Sequence, residues 1–394
     1  MSNDVLFQPL ELPCGVTLKN RVIKAAMSDA LGDGRGQPTE EQHRLYATWA
    51  EGGLAAAVVG EVQGTPHFAE NPGNLVLRAE SVQAFRPLAI AGTAHGAQLW
   101  VQLGHAGALA HGAISRPAGP SAIDVPGLRC DALSLQDVRA LPDGFAQTAA
   151  FAQRAGFGGV EIHAAHGFLL SQFLSPLFNQ RQDSYGGTAA ARRRIVLDVV
   201  AAVRDAVGPG FPVAIKINAS DMLQGGLTET DALELVAALE ATSVDLIDIS
   251  GGTYFPGAAS SLDSGGAGPY FAAFAKEARR RTSRPLMLTG GIKSKAQAVD
   301  LLQTGDVDVV GLARALVLQP DLPKLWQRDE MLCPHFPKLA PGGEGAVTAW
   351  YTMRIAAIAA STEAAYDLET ADALAAVKRT EAENAIRWKD AFRI

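Results

Sequence analysis

Gly159-Val160-Glu161-Ile162-His163-Ala164-Ala165-His166-Gly167-Phe168 reads as a short buried strand that ends in two imidazoles. His163 and His166 stand three apart, where the apolar run stops and a long polar loop begins. Histidines so placed can anchor a substrate oxygen, bind a metal, or be ordinary hydrogen-bonded residues. The surrounding chain has to decide.

Working outward, the pattern around this strand repeats. A helical stretch near 144–155 precedes it, and one near 190–207 leads to the strand Val213–Asn218. Towards the N-terminus come a strand at Val22–Ala25, a helix capped by Thr39 with Gln42 completing a capping box, and a strand at Ala55–Gly60. A helix near 81–94 then leads to Gln98–Leu103. Towards the C-terminus, Thr228 caps the helix before Leu246–Ser250, and a helix near 270–282 leads to Leu286–Thr289. Ser294, with Gln297 at the capping-box position, opens the helix before Val307–Gly311. Short strands alternating with helices predict a parallel sheet, and eight such units closing on themselves predict an α/β (β/α)8 TIM barrel. A doubly wound sheet is the alternative, but no GxGxxG follows the first strand. Residues 7–20 suggest an N-terminal hairpin, and 346–360 and 369–392 look helical. The division expected is therefore a barrel over 1–330 and a C-terminal helical extension over 331–394, packed on the barrel or on a neighbouring subunit.

The 394 residues are 48% hydrophobic and 19% charged, enough for one large core. A net charge of −7 argues against nucleic acid and anionic membrane surfaces as partners. Cys14, Cys130 and Cys333 lie far apart with no CxxC pair, so neither a disulfide framework nor a zinc or iron–sulfur site is expected. With no membrane-length apolar run and no secretion signal pattern, a soluble cytoplasmic protein is the expectation.

Barrel active sites lie at the C-terminal strand ends. Those ends offer Ala25-Ala26-Met27-Ser28, Gly60-Glu61, Gln102 and His105, the two histidines, Lys216 and Asn218, Ser250-Gly251-Gly252, Thr289-Gly290-Gly291, and Gly311 through Arg314. Glycines at 290 and 291 let backbone N–H groups approach an anion, and Arg314 at the start of a helix would complete a phosphate clamp; ordinary turns and a surface arginine are the bland alternative. Lys216, inside a barrel, needs a partner. A cofactor atom gaining negative charge would serve, as would a salt bridge to Glu161 or Asp221. Gln102 both donates and accepts, which suits an imide edge such as a flavin pyrimidine. A metal on the histidines lacks a third ligand, whereas two neutral imidazoles donating to one developing oxyanion need nothing else.

Together these residues resemble the old yellow enzyme family of FMN-dependent (β/α)8 oxidoreductases, from about Leu6 to Leu325. The most specific block runs from Gly159 through Gln172-Phe173-Leu174-Ser175-Pro176 to Asn179, Arg181, Asp183, Tyr185-Gly186-Gly187 and Arg192. Leu18-Lys19-Asn20-Arg21-Val22, Gln102-Leu103-Gly104-His105-Ala106-Gly107 and Gly119-Pro120-Ser121 support it. The resemblance implies FMN across the strand ends. Ala25, Ala26 and Met27 would line the flavin, Gly60 would lie beside it, and Gln102 would meet the pyrimidine edge. Lys216 would sit near N1 and the C2 carbonyl, and Gly290, Gly291, Ala313 and Arg314 would bind the phosphate. His163 and His166 would hydrogen-bond the oxygen of a small-molecule substrate. The reaction implied is hydride transfer from NADH or NADPH to FMN, then from flavin N5 to the β-carbon of an activated alkene. A dehydrogenase or demethylase with another electron acceptor, or a flavin-binding barrel without turnover, are the alternatives. Relatives often form dimers or tetramers, so a homo-oligomer is expected, with Trp350, Tyr351 or Arg354 as residues able to reach a neighbour's site.

This chain departs from the family twice. Phe168 stands where many members have the tyrosine that protonates the α-carbon, leaving Tyr254, Tyr270, Tyr351 or water as the proton source, or a natural reaction other than simple alkene reduction. Ser28 stands where relatives often carry Thr or Cys near the flavin C4 carbonyl. The absence of a cysteine cluster after the barrel, with about 65 residues left, sets the expectation of a stand-alone FMN enzyme.

Overall fold

The structure, a computed structural model, describes residues 4–255, 258, 268–340 and 342–394. Eight parallel strands follow one another around a ring: β1 (Val22–Ser28), β2 (Ala56–Gln63), β3 (Gln98–Gly104), β4 (Gly159–Ala164), β5 (Val213–Asn218), β6 (Leu246–Ser250), β7 (Leu286–Thr289) and β8 (Val309–Leu312). Ile23 of β1 sits opposite Gly311 of β8 on one side and Ala56 of β2 on the other, so the sheet closes. The predicted barrel is the observed fold, and the open, doubly wound sheet is excluded.

Side chains alternate across a strand, so every second residue faces the barrel axis. The first inward residues, among them Ile23, Ala56, Trp100, Ala214, Leu246 and Met287, form an apolar cluster. Leu12 and Leu18 join this cluster from the antiparallel hairpin of Leu10–Glu11 and Thr17–Leu18, which plugs the N-terminal mouth. The outward residues, such as Val101, Ile162, Ile215 and Ile249, pack beneath the helices in a larger cluster. Further along, the inward positions turn polar: Gln102, Glu161, His163, Lys216, Asn218, Asp248 and Ser250, every one of them buried. Burying polar groups costs free energy unless they are paired, so their concentration at one end of the barrel marks that end for chemistry.

The helices that cover the sheet are α1 (Glu40–Glu51), α2 (Val82–Gly92), α3 (Leu135–Ala155), α4 (Ala189–Val207), α5 (Glu229–Glu240), α6 (Ala272–Arg279), α7 (Lys295–Gln303) and the one-turn α8 (Arg314–Leu318). Thr39 and Gln42 form the expected capping box on α1. On α7, Ser294 accepts from the Gln297 backbone as predicted, but the Gln297 side chain caps Lys293 instead of Ser294. Helix α3 begins well before the expected 144, because Ser134 and Asp137 make a reciprocal cap and the helix continues through Pro142. Strand β1 runs three residues past the expected Ala25, to Ser28.

After the barrel, α9 (Ala346–Ala359) and α10 (Thr370–Phe392) match the helical stretches read from sequence. Both rest on this chain's own barrel. Arg354 donates to the carbonyls of Val317 and Leu318 at 3.0 and 3.3 Å, and Arg44 donates to that of Ala359 at 2.9 Å. The fully buried Trp388 donates from Nε1 to Pro66 at 3.2 Å, with the Phe392 ring 4.8 Å away.

Candidate active site

A cavity of about 570 Å³ opens at the C-terminal strand ends. Its lining brings together Ala26, Met27, Ser28, Gln102, His163, His166, Phe168, Lys216, Tyr254, Gly290, Gly291, Ala313 and Arg314. Two predicted residues are not on that wall: Ala25 is fully buried within β1, and Gly60 lies behind, against Ala26, Met27 and Gln102. A second cavity of about 670 Å³ includes His105. There His105 stacks on Phe68 at 4.2 Å and accepts from the Gly107 N–H at 3.1 Å, while burial pushes its pKa down to about 3. Those contacts make His105 a packing residue.

The histidines are held from several sides. His163 places Nδ1 2.7 Å from Glu61 Oε1 and Nε2 3.2 Å from Nδ1 of His166, whose Nε2 lies 2.9 Å from Ser250 Oγ. His166 adopts a left-handed backbone, φ 60°. Its N–H donates to Asn218 Oδ1 at 3.0 Å and its carbonyl accepts from Tyr254 at 3.1 Å, which fixes a conformation that costs a non-glycine residue free energy. Asn218 also donates to Asp221 and to the Gly252 carbonyl, so it ties three strand ends together and does not act on a ligand. Burial first, and the Lys216 charge second, push His163 down to about 3; burial likewise holds His166 well below the usual imidazole range. Both rings are therefore neutral at physiological pH, and although Glu61 is close enough for an ion pair, His163 carries no charge to form one.

The register of the sheet pairs the remaining polar residues. Glu161 lies opposite Gln102, which donates to it at 2.7 Å, and Lys216 lies opposite Asp248, with which it forms a buried ion pair. The salt-bridge partner of Lys216 is thus Asp248, not Glu161 or Asp221. Thr289 donates to the other Asp248 oxygen at 2.7 Å. Burial pulls Lys216 below the usual ammonium range, and the Glu161 charge opposes that. An ammonium has three donors, so two remain for a ligand in the cavity.

At the far end, Gly290 and Gly291 have φ 125° and 77°, and Lys293 joins Arg314 on the wall. Helix α8 is one turn long and Ala313 provides no side-chain cap, so an anion at this end would rely on the glycine N–H groups and the two cations rather than on a helix dipole. A methyl at Gly291 would collide with the Gly268 carbonyl oxygen. Gly291→Ala is expected to lose about 1–2 kcal/mol from its backbone conformation alone, and to lower the flavin content of purified protein, read from the visible-to-ultraviolet absorbance ratio.

Residues 5–330 match the NADH:flavin oxidoreductase / NADH oxidase family. The chain belongs to that family. It is 36% identical over 348 residues to the NADH-dependent flavin oxidoreductase nadA of Aspergillus parasiticus, covering 80% of this chain and 77% of that one. To an NADPH dehydrogenase of Bacillus licheniformis it is 33% identical over 333 residues, covering 82% and 94%. The NADH-dependent flavin oxidoreductase iliE of Neonectria is 36% identical over 354 residues, 80% of this chain, but the match spans only 46% of that longer protein. Among solved structures, morphinone reductase superposes with a TM-score of 0.74 at 25% identity, over 85% of this chain and 92% of that chain. The family implies FMN as cofactor, with NADH or NADPH as reductant.

The residues present suit that group. A flavin mononucleotide needs an anion site at one end and polar groups along one ring edge. The cavity supplies Gly290, Gly291, Lys293 and Arg314 for the first, and Lys216 with Gln102 for the second. Sequence reasoning missed Lys293, and it missed Glu70 and Asn71 in the loop after β2, which line the mouth. It also missed the helices beyond the barrel as a wall: Tyr351 of α9 and Leu374, Val377 and Glu381 of α10 face the cavity, and Asn71 donates to Glu381 at 2.7 Å. Tyr351, one of three residues considered able to reach a neighbour's site, lines its own. Trp350 and Arg354 turn instead towards Leu368 and α8.

Proposed function

We propose that the chain is an NADH- or NADPH-dependent flavin oxidoreductase that reduces activated alkenes, α,β-unsaturated carbonyl compounds or similar electrophiles. One observation supports this above the others: two neutral imidazoles line the cavity that also holds Lys216 and the Gly290–Arg314 end. Bound FMN supplies the hydride chemistry. Arg314, Lys293 and the glycine N–H groups would hold its phosphate, and Lys216 and Gln102 its polar ring edge. His163 and His166 would donate to the carbonyl oxygen of the substrate. Their hydrogen bonds strengthen as negative charge builds on that oxygen, which lowers the barrier rather than merely tightening binding.

Phe168 cannot give a proton to the α-carbon. Its ring lies 4.8 Å from that of His163 and 5.9 Å from that of Tyr254. Of the three phenols considered from sequence, Tyr254 is the one beside the histidines, 6.0 Å from His166 between centroids. Tyr270 packs on the Gly290–Gly291 turn, and Tyr351 lies under Arg314. Tyr254 would be the proton donor among these phenols, with water as the other source. Phe168→Tyr is expected to speed alkene reduction, within the roughly 10²–10⁴-fold that a well-placed acid contributes; an unchanged rate would mean that proton delivery does not limit turnover.

The function is tested by following NADH and NADPH consumption with cyclohexenone, maleimide and nitro compounds, with the saturated product identified by mass. A yellow protein that turns over none of them, or one bleached only by an amine or alcohol, overturns the proposal. A dimer or tetramer is expected by sedimentation.

A further inference from the structure

Strand β2 ends by placing Glu61 under the histidines. Its carboxyl is 3% exposed, with Oε1 2.7 Å from Nδ1 of His163 and Oε2 accepting from Gln63 Nε2 at 2.9 Å. The bare α-carbon of Gly104 on β3 makes room for it, since a methyl there would collide with the carboxylate. A neutral imidazole carries one ring proton, and the group bonded to one nitrogen decides where that proton sits. An ionised Glu61 can only accept. Nδ1 of His163 then keeps the hydrogen, and Nε2, on the side of His166, is a lone pair. A protonated Glu61 donates to Nδ1, and Nε2 carries the hydrogen. Only the second state equips His163 to donate to a substrate oxygen.

We propose that Glu61 is a positioning residue: while protonated it fixes His163 as the Nε2–H tautomer, and once ionised it withdraws that donor from the substrate. The inference rests on His163 serving as a donor to substrate oxygen, as set out under the proposed function.

The surroundings of Glu61 set where the change occurs. It contacts Gln63 on its own strand and His163 on β4, and the Glu70 carboxyl and Tyr254 phenol are within electrostatic reach of it, as Lys216 and Glu161 are of His163. Burial raises Glu61 to about 8, against a lowering by the Gln63 amide. Burial, and then the neighbouring Glu61 carboxyl, raises Glu70 to about 7. Since His163 is held near 3, it does not itself titrate near neutrality. Glu61 is protonated below about pH 8 and ionises above it, so the donor is present at neutral pH and lost on the alkaline side.

Glu61→Gln separates these states, because the amide nitrogen can donate to Nδ1 at every pH. The FMN-loaded enzyme, labelled with ¹⁵N-histidine, is followed by two-bond ¹⁵N–¹H spectra from neutral to alkaline pH. The His163 signals are identified by their loss in His163→Asn. Expected in the wild type is a change from Nε2–H to Nδ1–H centred near pH 8, whereas Glu61→Gln stays Nε2–H throughout. Alkene reduction should fall about tenfold per pH unit above that midpoint in the wild type, as for loss of one proton, and lose that limb in Glu61→Gln. A His163 tautomer that does not change in the wild type, or changes identically in Glu61→Gln, overturns the inference. The spectra decide this even for an enzyme that reduces no alkene, so failure of the proposed reaction is distinguishable from failure of the Glu61 role.

Discussion

His163→Ala is expected to slow the reduction of an unsaturated ketone by about 10²–10³-fold while FMN stays bound, the cost of about 2.7–4 kcal/mol typical of losing one preorganised oxyanion donor. The geometry supports an effect of that size. The ring is 3% exposed and neutral, and Glu61 on Nδ1 and His166 on Nε2 fix its orientation, so a substrate oxygen has only to replace the 3.2 Å contact to His166. His166 should behave differently from His163 in one respect. Its backbone sits at φ 60°, where alanine costs about 1–2 kcal/mol and asparagine is tolerated. His166→Ala should therefore lose stability as well as rate, whereas His166→Asn keeps the fold and one donor and retains more activity. Rapid-mixing rates of the alkene step, beside denaturation midpoints, separate the two contributions.

Lys216→Met should destabilise the protein by about 3–5 kcal/mol, the scale for leaving one member of a buried ion pair without its partner. Lys216 and Asp248 are 1% and 0% exposed, and among the described residues Asp248 keeps the Thr289 hydroxyl as its side-chain partner once the ammonium is gone. The same substitution removes the cation from the middle of the cavity, so FMN binding should weaken too. Stability and flavin binding are separable by adding Asp248→Asn. The double variant removes the stranded carboxylate and should regain much of the denaturation midpoint, but it should not regain flavin. Recovery of both would mean that Lys216 serves the barrel and not the cofactor.

Most of the barrel was legible because the inward positions change character along several strands. Ala214 then Lys216, and Leu246 then Asp248, mark the floor and the reactive end without any knowledge of neighbours. The long motif after His166 was equally readable, yet its residues are scaffold. Asn179 donates to the carbonyls of Phe173 and Tyr185, Arg192 to those of Leu174 and Gly187, and Gln172 to those of Ala106 and Gly167. They fix the loop that carries the histidines, which is why the motif identified the family more surely than it located chemistry. What escaped depends on register and on distant packing. Asp248 became visible as the Lys216 partner only when β5 and β6 were aligned, and Glu61 reaches a histidine 102 residues away. The wall supplied by α9 and α10 lies beyond the barrel pattern altogether, and its residues carry no periodic signal that points to a cavity. Pro142 concealed the early start of α3, although Ser134 and Asp137 carried the capping signal for it.

The measurement that bears most directly on the proposed reaction is an anaerobic two-step mixing experiment on the FMN-loaded enzyme. NADH or NADPH should bleach the flavin absorbance, and subsequent mixing with cyclohexenone or maleimide should restore it, more slowly in His163→Ala by the factor given above. A flavin that neither nicotinamide bleaches, or that alkenes reoxidise equally fast with and without His163, would contradict the assignment of this site to alkene reduction.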